Sequence, residues 1–368
     1  MIINLRLINF RNHLDFSIAS KENFIIISGA NGSGKTNVLE SISLFSLGKG
    51  LKNAKLEDLF AKDLKTEHQQ LAVHMNSSLK NNLFSTSLCY QRNIKTKKIT
   101  RYLKIDDKEI KKKAALLNYI KIFYFIPQMS NLFIDTPSVR RKFLDRMVFN
   151  FFPEHGLNVI RYEYYVQSRM KLLLTTTNNT WITTVEEKIA YFAVKIMKMR
   201  YQYSKMISRY LENLKTAFIK PSFNVVGFLD EEFFYSLEEA ELVRYIIDRL
   251  KQNRPIDLKR KRTEFGPHKT DILCKYPEKQ IEASHCSTGE QKAMLIAILL
   301  AQIHAINCEQ QTSPIFLLDE LFAHFDKEKQ ELLIEELDHL KTQAWVTSTD
   351  PNLYKNFPQE KTQHINIK

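Results

Sequence analysis

The chain has 368 residues, 44% of them hydrophobic, which is enough to bury a sizeable two-lobed core. Its net charge of +13 suits a polyanionic partner, and nucleic acid is the commonest one in a cytoplasm. Four scattered cysteines (Cys89, Cys274, Cys286, Cys308) exclude a C-x-x-C zinc hook and, with no signal peptide apparent, point to a reducing cytoplasm. The longest apolar stretch, 295–301, is too short to span a bilayer.

In chain order, strands are expected at 4–10 and 24–28, the second running straight into the segment FIIISGANGSGKTNVLE. That segment holds three of the nine glycines (Gly29, Gly32, Gly34) within six positions and reads as a Walker A phosphate loop opening a helix. Glycines let backbone N–H groups converge on phosphate oxygens, and the new helix turns its positive end toward the same anion. Gly29, Ala30, Asn31, Gly32, Ser33 and Gly34 are therefore the expected nucleotide cradle, with Lys35 reaching the β- and γ-phosphates and Thr36 holding magnesium. Arg11 and Asn12, after the first strand, are placed either beside the nucleotide or in a simple turn.

Alternating stretches at 70–73 and 83–90 suggest a β-meander. From 131 helical periodicity takes over, through FLDRMVFNFF, LNVIRYEYYVQSRMKLLL and a long helix at 184–218, interrupted by the polar linker TTTNNT. Tyr162, Tyr165, Phe192, Tyr201 and Tyr203 recur there at helical spacing, which favours packing over base stacking. Pro221 is expected to end that helix, a strand to follow at 223–228, and EEFFYSLEEAELVRYIIDRL to form one more helix before the chain turns back near Pro255.

Two further motifs lie in the last quarter. In CSTGEQKAMLIAILLAQ, Ser287, Gly289, Glu290 and Gln291 open an apolar helix; S-T-G-E also satisfies a capping box, and both readings can hold. In SPIFLLDELFAHFD a hydrophobic strand ends in Asp319 and Glu320, with Asp326 beyond. This pair of motifs resembles the signature and Walker B elements of ABC-type ATPases. The resemblance makes Asp319 a support for Mg2+, Glu320 the group that orients the attacking water, and Asp326 a D-loop residue. Ser287 and Gly289 would then face the ATP of a second chain, so the composite site requires a homodimer. Gln128 in FYFIPQMSNLF is a candidate Q-loop ligand of the ion, though a turn after Pro127 would read the same. ABC ATPases usually carry a histidine after the next strand, whereas this chain reads AWVTSTD; Thr347, Ser348 or Thr349 is the expected hydroxyl stand-in at the γ-phosphate, with slow hydrolysis.

Basic runs occur at KTKKITRYLK, KEIKKKAA, VRRKFLDR and DLKRKRTEFGPHK. DNA-contact candidates are Arg140, Arg141, Arg146, Lys259 and Arg260, with the alternative that Arg140 and Arg141 pair with acids such as Asp145. No base-reading module is apparent, so binding should be salt-sensitive and sequence-independent.

Taken together, LRLINFRNH, GANGSGKTNVLE, LGKGLKNAKLEDL, FIPQMSNLFIDTPSVRRKFLDRMV, RYEYYVQSRMKLLL, EFGPHKTD, CSTGEQKAMLIAILLAQ and LLDELFAHFD resemble the bacterial RecF family, in the family's order over nearly the whole chain. PSVRRKFLDR and GPHKTD are the pieces that general ABC ATPases lack; the family's P-E-D-L is Pro127-Gln128-Met129-Ser130 here. The resemblance implies an α/β ABC-type head (1–130 plus 257–368) with an inserted, mainly helical lobe (131–256). It further implies ATP and Mg2+ as cofactors, weak DNA-stimulated ATPase activity, and binding of single-stranded and gapped double-stranded DNA. Its other implications are an ATP-dependent homodimer, action with RecO and RecR to load RecA, roles in replication restart and the SOS response, and no membrane partner. His268 and Lys269 of GPHKTD fall, by resemblance, near a DNA- or nucleotide-facing edge. The competing classes are a transporter's energising subunit, disfavoured by the long insertion between Thr36 and Ser287, and an ATP switch without turnover.

Overall fold

The computed structural model describes residues 1–46, 48–62, 68–80, 82–175 and 178–367. Leu47, which opens LGKGLKNAKLEDL, and residues 176–177 of the TTTNNT linker lie outside them. The chain begins with β1 (Ile2–Phe10), β2 (His13–Ala19), β3 (Phe24–Ser28) and α1 (Lys35–Ser43), followed by the meander β4 (His68–Leu79), β5 (Asn82–Asn93), β6 (Ile99–Ile105) and β7 (Lys108–Glu109), and then β8 (Ile122–Phe125). Next come α2 (Pro137–Phe149), α3 (His155–Thr175), α4 (Asn179–Asn213), β9 (Ser222–Val226), α5 (Glu231–Ser236), α6 (Glu239–Arg260), β10 (Asp271–Tyr276) and β11 (Ile281–Glu282). The chain closes with α7 (Thr288–Gln310), β12 (Ile315–Asp319), α8 (Lys327–His339), β13 (Gln343–Ser348) and β14 (Thr362–Asn366). Packing divides it into two compact units, Met1–Met129 with Ile303–Lys368, and Ser130–Gln302.

The first unit is a mixed α/β body. β14-β3-β13-β12-β8 form a parallel sheet, and β2-β1-β4-β5-β6-β7 an antiparallel one. Because side chains alternate along a strand, Ile25 and Ile27, Ile122 and Tyr124, Ile315 and Leu317, and Trp345 share one core with Leu5, Leu7, Leu71, Val73, Leu88 and the α1 residues Val38, Leu39 and Ile42. The intervening Ile26, Phe316, Leu318 and Val346 are also buried. Burial of both faces is why these strands read as unbroken apolar runs, as parallel strands do.

The second unit is mainly helical, with the small antiparallel sheet β11-β10-β9. It is tied by ions as well as oil. Arg169 is fully buried and donates to Glu186, Asp257, Thr263 Oγ1 and the Leu250 carbonyl; both carboxylates are fully buried too. Taking these charges out of water is costly and the four acceptors offset that cost, so removing one partner would strand a buried charge.

Several expectations are corrected. The long helix runs from Asn179 to Asn213 and stops before 218. EEFFYSLEEAELVRYIIDRL forms two helices, because Asp230 caps α5 and Glu238 with Glu241 builds a capping box that restarts the chain as α6. α6 passes through Pro255 and ends at Arg260, so the chain does not turn back there. Residues 257–302 pack with the helical unit, moving the return from 257 to 303. At the start of that stretch Asp257 is held by Arg169 and by the Glu264 amide. α7 is the one helix among the described residues long and apolar enough to cross a membrane, more than the 295–301 stretch suggested. Most of its apolar window (72%) is buried inside the protein, as in a core helix.

Candidate functional site

The phosphate loop sits between β3 and α1, where strand and helix are fixed by the core on either side. Gly34 has φ +105°, and a Cβ there would lie 2.4 Å from Asn12 Nδ2, so both conformation and space demand glycine. The loop is braced from the β1–β2 turn: Asn12 Nδ2 donates to the Ser33 carbonyl (2.9 Å) and His13 Nε2 to the Gly34 carbonyl (3.2 Å). His13 is therefore the Nε2–H tautomer, and burial pushes its pKa down. Lys35 is buried at 4% exposure, and its ammonium donates to the carbonyls of Gly29 and Ala30, each at 2.8 Å. The charge is thus held over the loop. Ala30, Asn31 and Gly32 are exposed, while Gly29, Ser33 and Thr36 are half-buried.

Arg11 lies in the β1–β2 turn, the second of its two expected placements. Its guanidinium forms a two-pronged pair with the fully buried Glu40 of α1 and donates to the Asp58 carbonyl. A buried carboxylate needs such a partner, so Arg11 fastens α1 to the β1–β2 turn. Asn12, by contrast, lies against the loop.

Register brings the two ends of the sequence together. β12 pairs in parallel with β13, setting Asp319 opposite Thr347. Asp319 Oδ1 accepts from Thr36 Oγ1 at 2.9 Å and from Thr347 Oγ1 at 2.7 Å. Thr36 and Asp319, far apart in sequence, are thus in hydrogen-bond contact, and they offer the hard oxygen donors that suit Mg2+. Among the described residues no group of three or more His, Cys, Asp or Glu could hold a metal, so an ion here would take its other ligands from phosphate and water. Glu320 is half-buried at the strand's end in the left-handed region (φ 51°), and its amide donates to Thr347 Oγ1 at 3.1 Å.

Thr347 is fully buried and its only proton goes to Asp319, so it is not a free hydroxyl for a phosphate. Ser348 Oγ accepts from the Asp350 amide, and Thr349 is exposed. Gln128 is exposed on the short 3-10 turn Pro127–Asn131. Asp326 is the N-cap of α8, accepting from the Lys329 amide and ammonium.

In the second unit, Ser287 and Glu290 make the reciprocal capping box at the start of α7: the Ser287 amide and hydroxyl donate to Glu290 Oε2 (2.8 and 2.9 Å), and the Glu290 amide donates to Ser287 Oγ. The Lys279 ammonium and those bonds hold the Glu290 carboxyl down at about 2. Nothing crowds Gly289 within 4 Å. Among the arginines proposed for DNA, Arg140 grips Asp271 with two donors (2.7 and 2.6 Å) and caps the Phe133 and Asp135 carbonyls; Arg141 donates to the Thr270 carbonyl. Both belong to the fold, and the partner of Arg140 is Asp271 and not Asp145, which Arg200 and His155 occupy. Arg146 lies over the Phe143 ring. Lys259 and Arg260 are exposed, Arg260 within 3.3 Å of Glu264.

The family model described as RecF/RecN/SMC N terminal domain matches residues 1–366. The DNA replication and repair protein RecF of Rickettsia prowazekii is 36% identical over 96% of both chains, and that of Rickettsia akari 37% over the same shares. The chain belongs to the RecF family. The fold agrees: the solved structure of a recombination mediator protein, RecF-ATPrS in the RecFOR pathway, superposes with a TM-score of 0.84 at 19% identity, covering 99% of this chain and 96% of that one. In this RecF-family chain Gly266, Pro267 and Thr270 of the GPHKTD segment are buried, while His268, Lys269 and Asp271 are half-buried. His268 lies between Tyr162, whose hydroxyl is 2.6 Å from Nδ1, and the Thr263 carbonyl 2.7 Å from Nε2, while Lys269 pairs with Glu264. Among the aromatics at helical spacing, Tyr162, Phe192, Tyr201 and Tyr203 are buried and serve packing. The structural residues missed from sequence were Glu40, Asp271 and Thr347's link to Asp319, none of which has a local signal.

Proposed function

We propose that this chain is an ATP-dependent DNA-binding protein of recombinational repair, working as a clamp that closes on ATP. The observation that carries the reading is the meeting of Thr36 and Asp319 beside a lysine-closed phosphate loop, with Glu320 as the next residue. Hydrogen-bond donors, a helix start and a fixed ammonium gathered in one place serve a triphosphate. Thr36 and Asp319 would hold Mg2+, which supplies charge neutralisation at the phosphates. Glu320 accepts the proton of a water attacking the γ-phosphorus; the bond to the β–γ bridging oxygen breaks, and ADP and phosphate leave. Glu320 backed by a buried hydroxyl fits slow, real turnover more than a pure switch.

The relatives' names, DNA replication and repair protein RecF, support the repair role, and the structural neighbour, named for its bound nucleotide and the RecFOR pathway, supports ATP and the partners of that pathway. On this reading the chain binds single-stranded and gapped duplex DNA in the cytoplasm, acts with RecO and RecR to load RecA, and serves replication restart and the SOS response. Ser287 and Gly289 open α7 as a capped helix start, the form needed to face a second chain's γ-phosphate, with Asp326 as the D-loop residue of that interface and Gln128 as a further candidate ligand of Mg2+. Arg146, Lys259 and Arg260 remain the DNA-contact candidates.

Light-scattering mass of Glu320→Gln with magnesium and ATP, with and without gapped duplex across a salt series, tests this. An ATP-dependent dimer that holds DNA more weakly as salt rises is expected; a monomer throughout, or a dimer indifferent to DNA, overturns it.

A further inference from the structure

We infer that Thr347 is a positioning residue for both acids of the site, acting from the protein's interior through one buried hydroxyl. The inference rests on the hydrolysis reading above. Three observations on one hydroxyl carry it. Its proton goes to Asp319 Oδ1 at 2.7 Å, the same oxygen that Thr36 contacts. One lone pair receives the Glu320 amide at 3.1 Å. The residue is fully buried, so neither bond competes with water.

The second bond matters because Glu320 is held in a conformation that a residue with a Cβ adopts at a cost of about 1 kcal/mol or more. A strand ending in ordinary extended geometry would send the next side chain elsewhere. The left-handed turn at Glu320 re-aims its carboxylate, and the hydroxyl of Thr347 holds the amide that defines that turn. The parallel register that places Thr347 opposite Asp319 is fixed along the strand by Leu317 opposite Trp345 and Leu318 opposite Val346, all buried. Thus the hydroxyl cannot drift away. Ser348 and Thr349 do not share the role: the first serves the Asp350 turn, and the second points to no partner among Asp319, Glu320 and Thr36.

Thr347→Val keeps shape and β-branching while removing the proton and the lone pair; Thr347→Ser keeps both. The full chain and its variants would be followed by single-turnover phosphate release, ATP affinity, urea midpoint and hydrogen exchange at the Glu320 amide. Expected for Val is phosphate release slowed about 10–100-fold with ATP affinity within about threefold, as for loss of a group that orients a metal-site ligand, and faster exchange at Glu320. Serine should restore both. Equal turnover in Val and parent overturns the inference alone. A Val variant that loses ATP affinity and folding stability together, with no rescue by Ser, also overturns it in favour of a packing role. No phosphate release by the parent chain, with ATP still bound, instead defeats the hydrolysis reading and the proposed role with it.

Discussion

The Tyr162 hydroxyl donates to His268 Nδ1 at 2.6 Å, while His268 Nε2 donates to the Thr263 carbonyl at 2.7 Å. A carbonyl can only accept, so the neutral ring carries its proton on Nε2 and offers Nδ1 to the phenol. Burial holds the His268 pKa below its ordinary 6.5, and nearby Lys269 and Arg141 add to this. The unfolded chain then binds more protons than the folded one as pH falls through about 6.5, so this contribution to stability is present above that value and is lost on acidification toward the lower folded pKa. Urea midpoints measured between pH 7.5 and 5.5 should fall more steeply for the parent than for His268→Gln. Parallel slopes would show that His268 does not titrate against the fold.

Lys35→Ala removes the ammonium held over the loop and the two bonds that close it. Charge-assisted hydrogen bonds are each worth about 1.5–3 kcal/mol, so losing those the ammonium would make to the phosphates should lower ATP affinity at least about tenfold, and losing the two that close the loop should lower the thermal midpoint as well. Equilibrium binding of a fluorescent ATP analogue checks this.

Gly34→Ala places a Cβ within 2.4 Å of Asn12 in a left-handed backbone. Loss of roughly 1 kcal/mol or more of local stability is expected, with weakened nucleotide binding. Combining it with Asn12→Ala should relieve the clash with Asn12 and leave the contact with His13 Nε2 at 2.7 Å together with the conformational cost, so a two-variant thermal melt should show partial recovery.

Arg140→Ala strips Asp271 of its partner in a site where both side chains are mostly covered, 15% and 23% exposed. The expected cost is about 2 kcal/mol of unfolding free energy, with an unchanged salt slope of DNA binding. Lys259→Ala should do the reverse, leaving stability intact and reducing the slope by about one. Exchanged outcomes would return Arg140 to the DNA surface.

How much could be read beforehand follows from the range of the forces involved. The phosphate loop, the capping box of Ser287 and Glu290, and the buried strands around Ile25 and Leu317 were legible because each is set by neighbours a few residues away: glycine conformation, a side chain reaching its own helix start, alternation of apolar residues. The helix break at Leu237 was missed because two polar acidic caps, Asp230 and Glu238, read as one charged face.

Sequence alone therefore determined that a glycine-rich strand-to-helix loop and an acid-ended strand exist, because backbone geometry and local capping are short-range. Only tertiary structure decided which partner each ion received: Arg11 with Glu40, Arg140 with Asp271, Arg169 with Glu186 and Asp257. A buried charge must find an opposite one wherever the chain brings it, and sequence distance places no limit on that. The same holds for Thr347, whose place opposite Asp319 comes from the parallel pairing of two strands and from no motif.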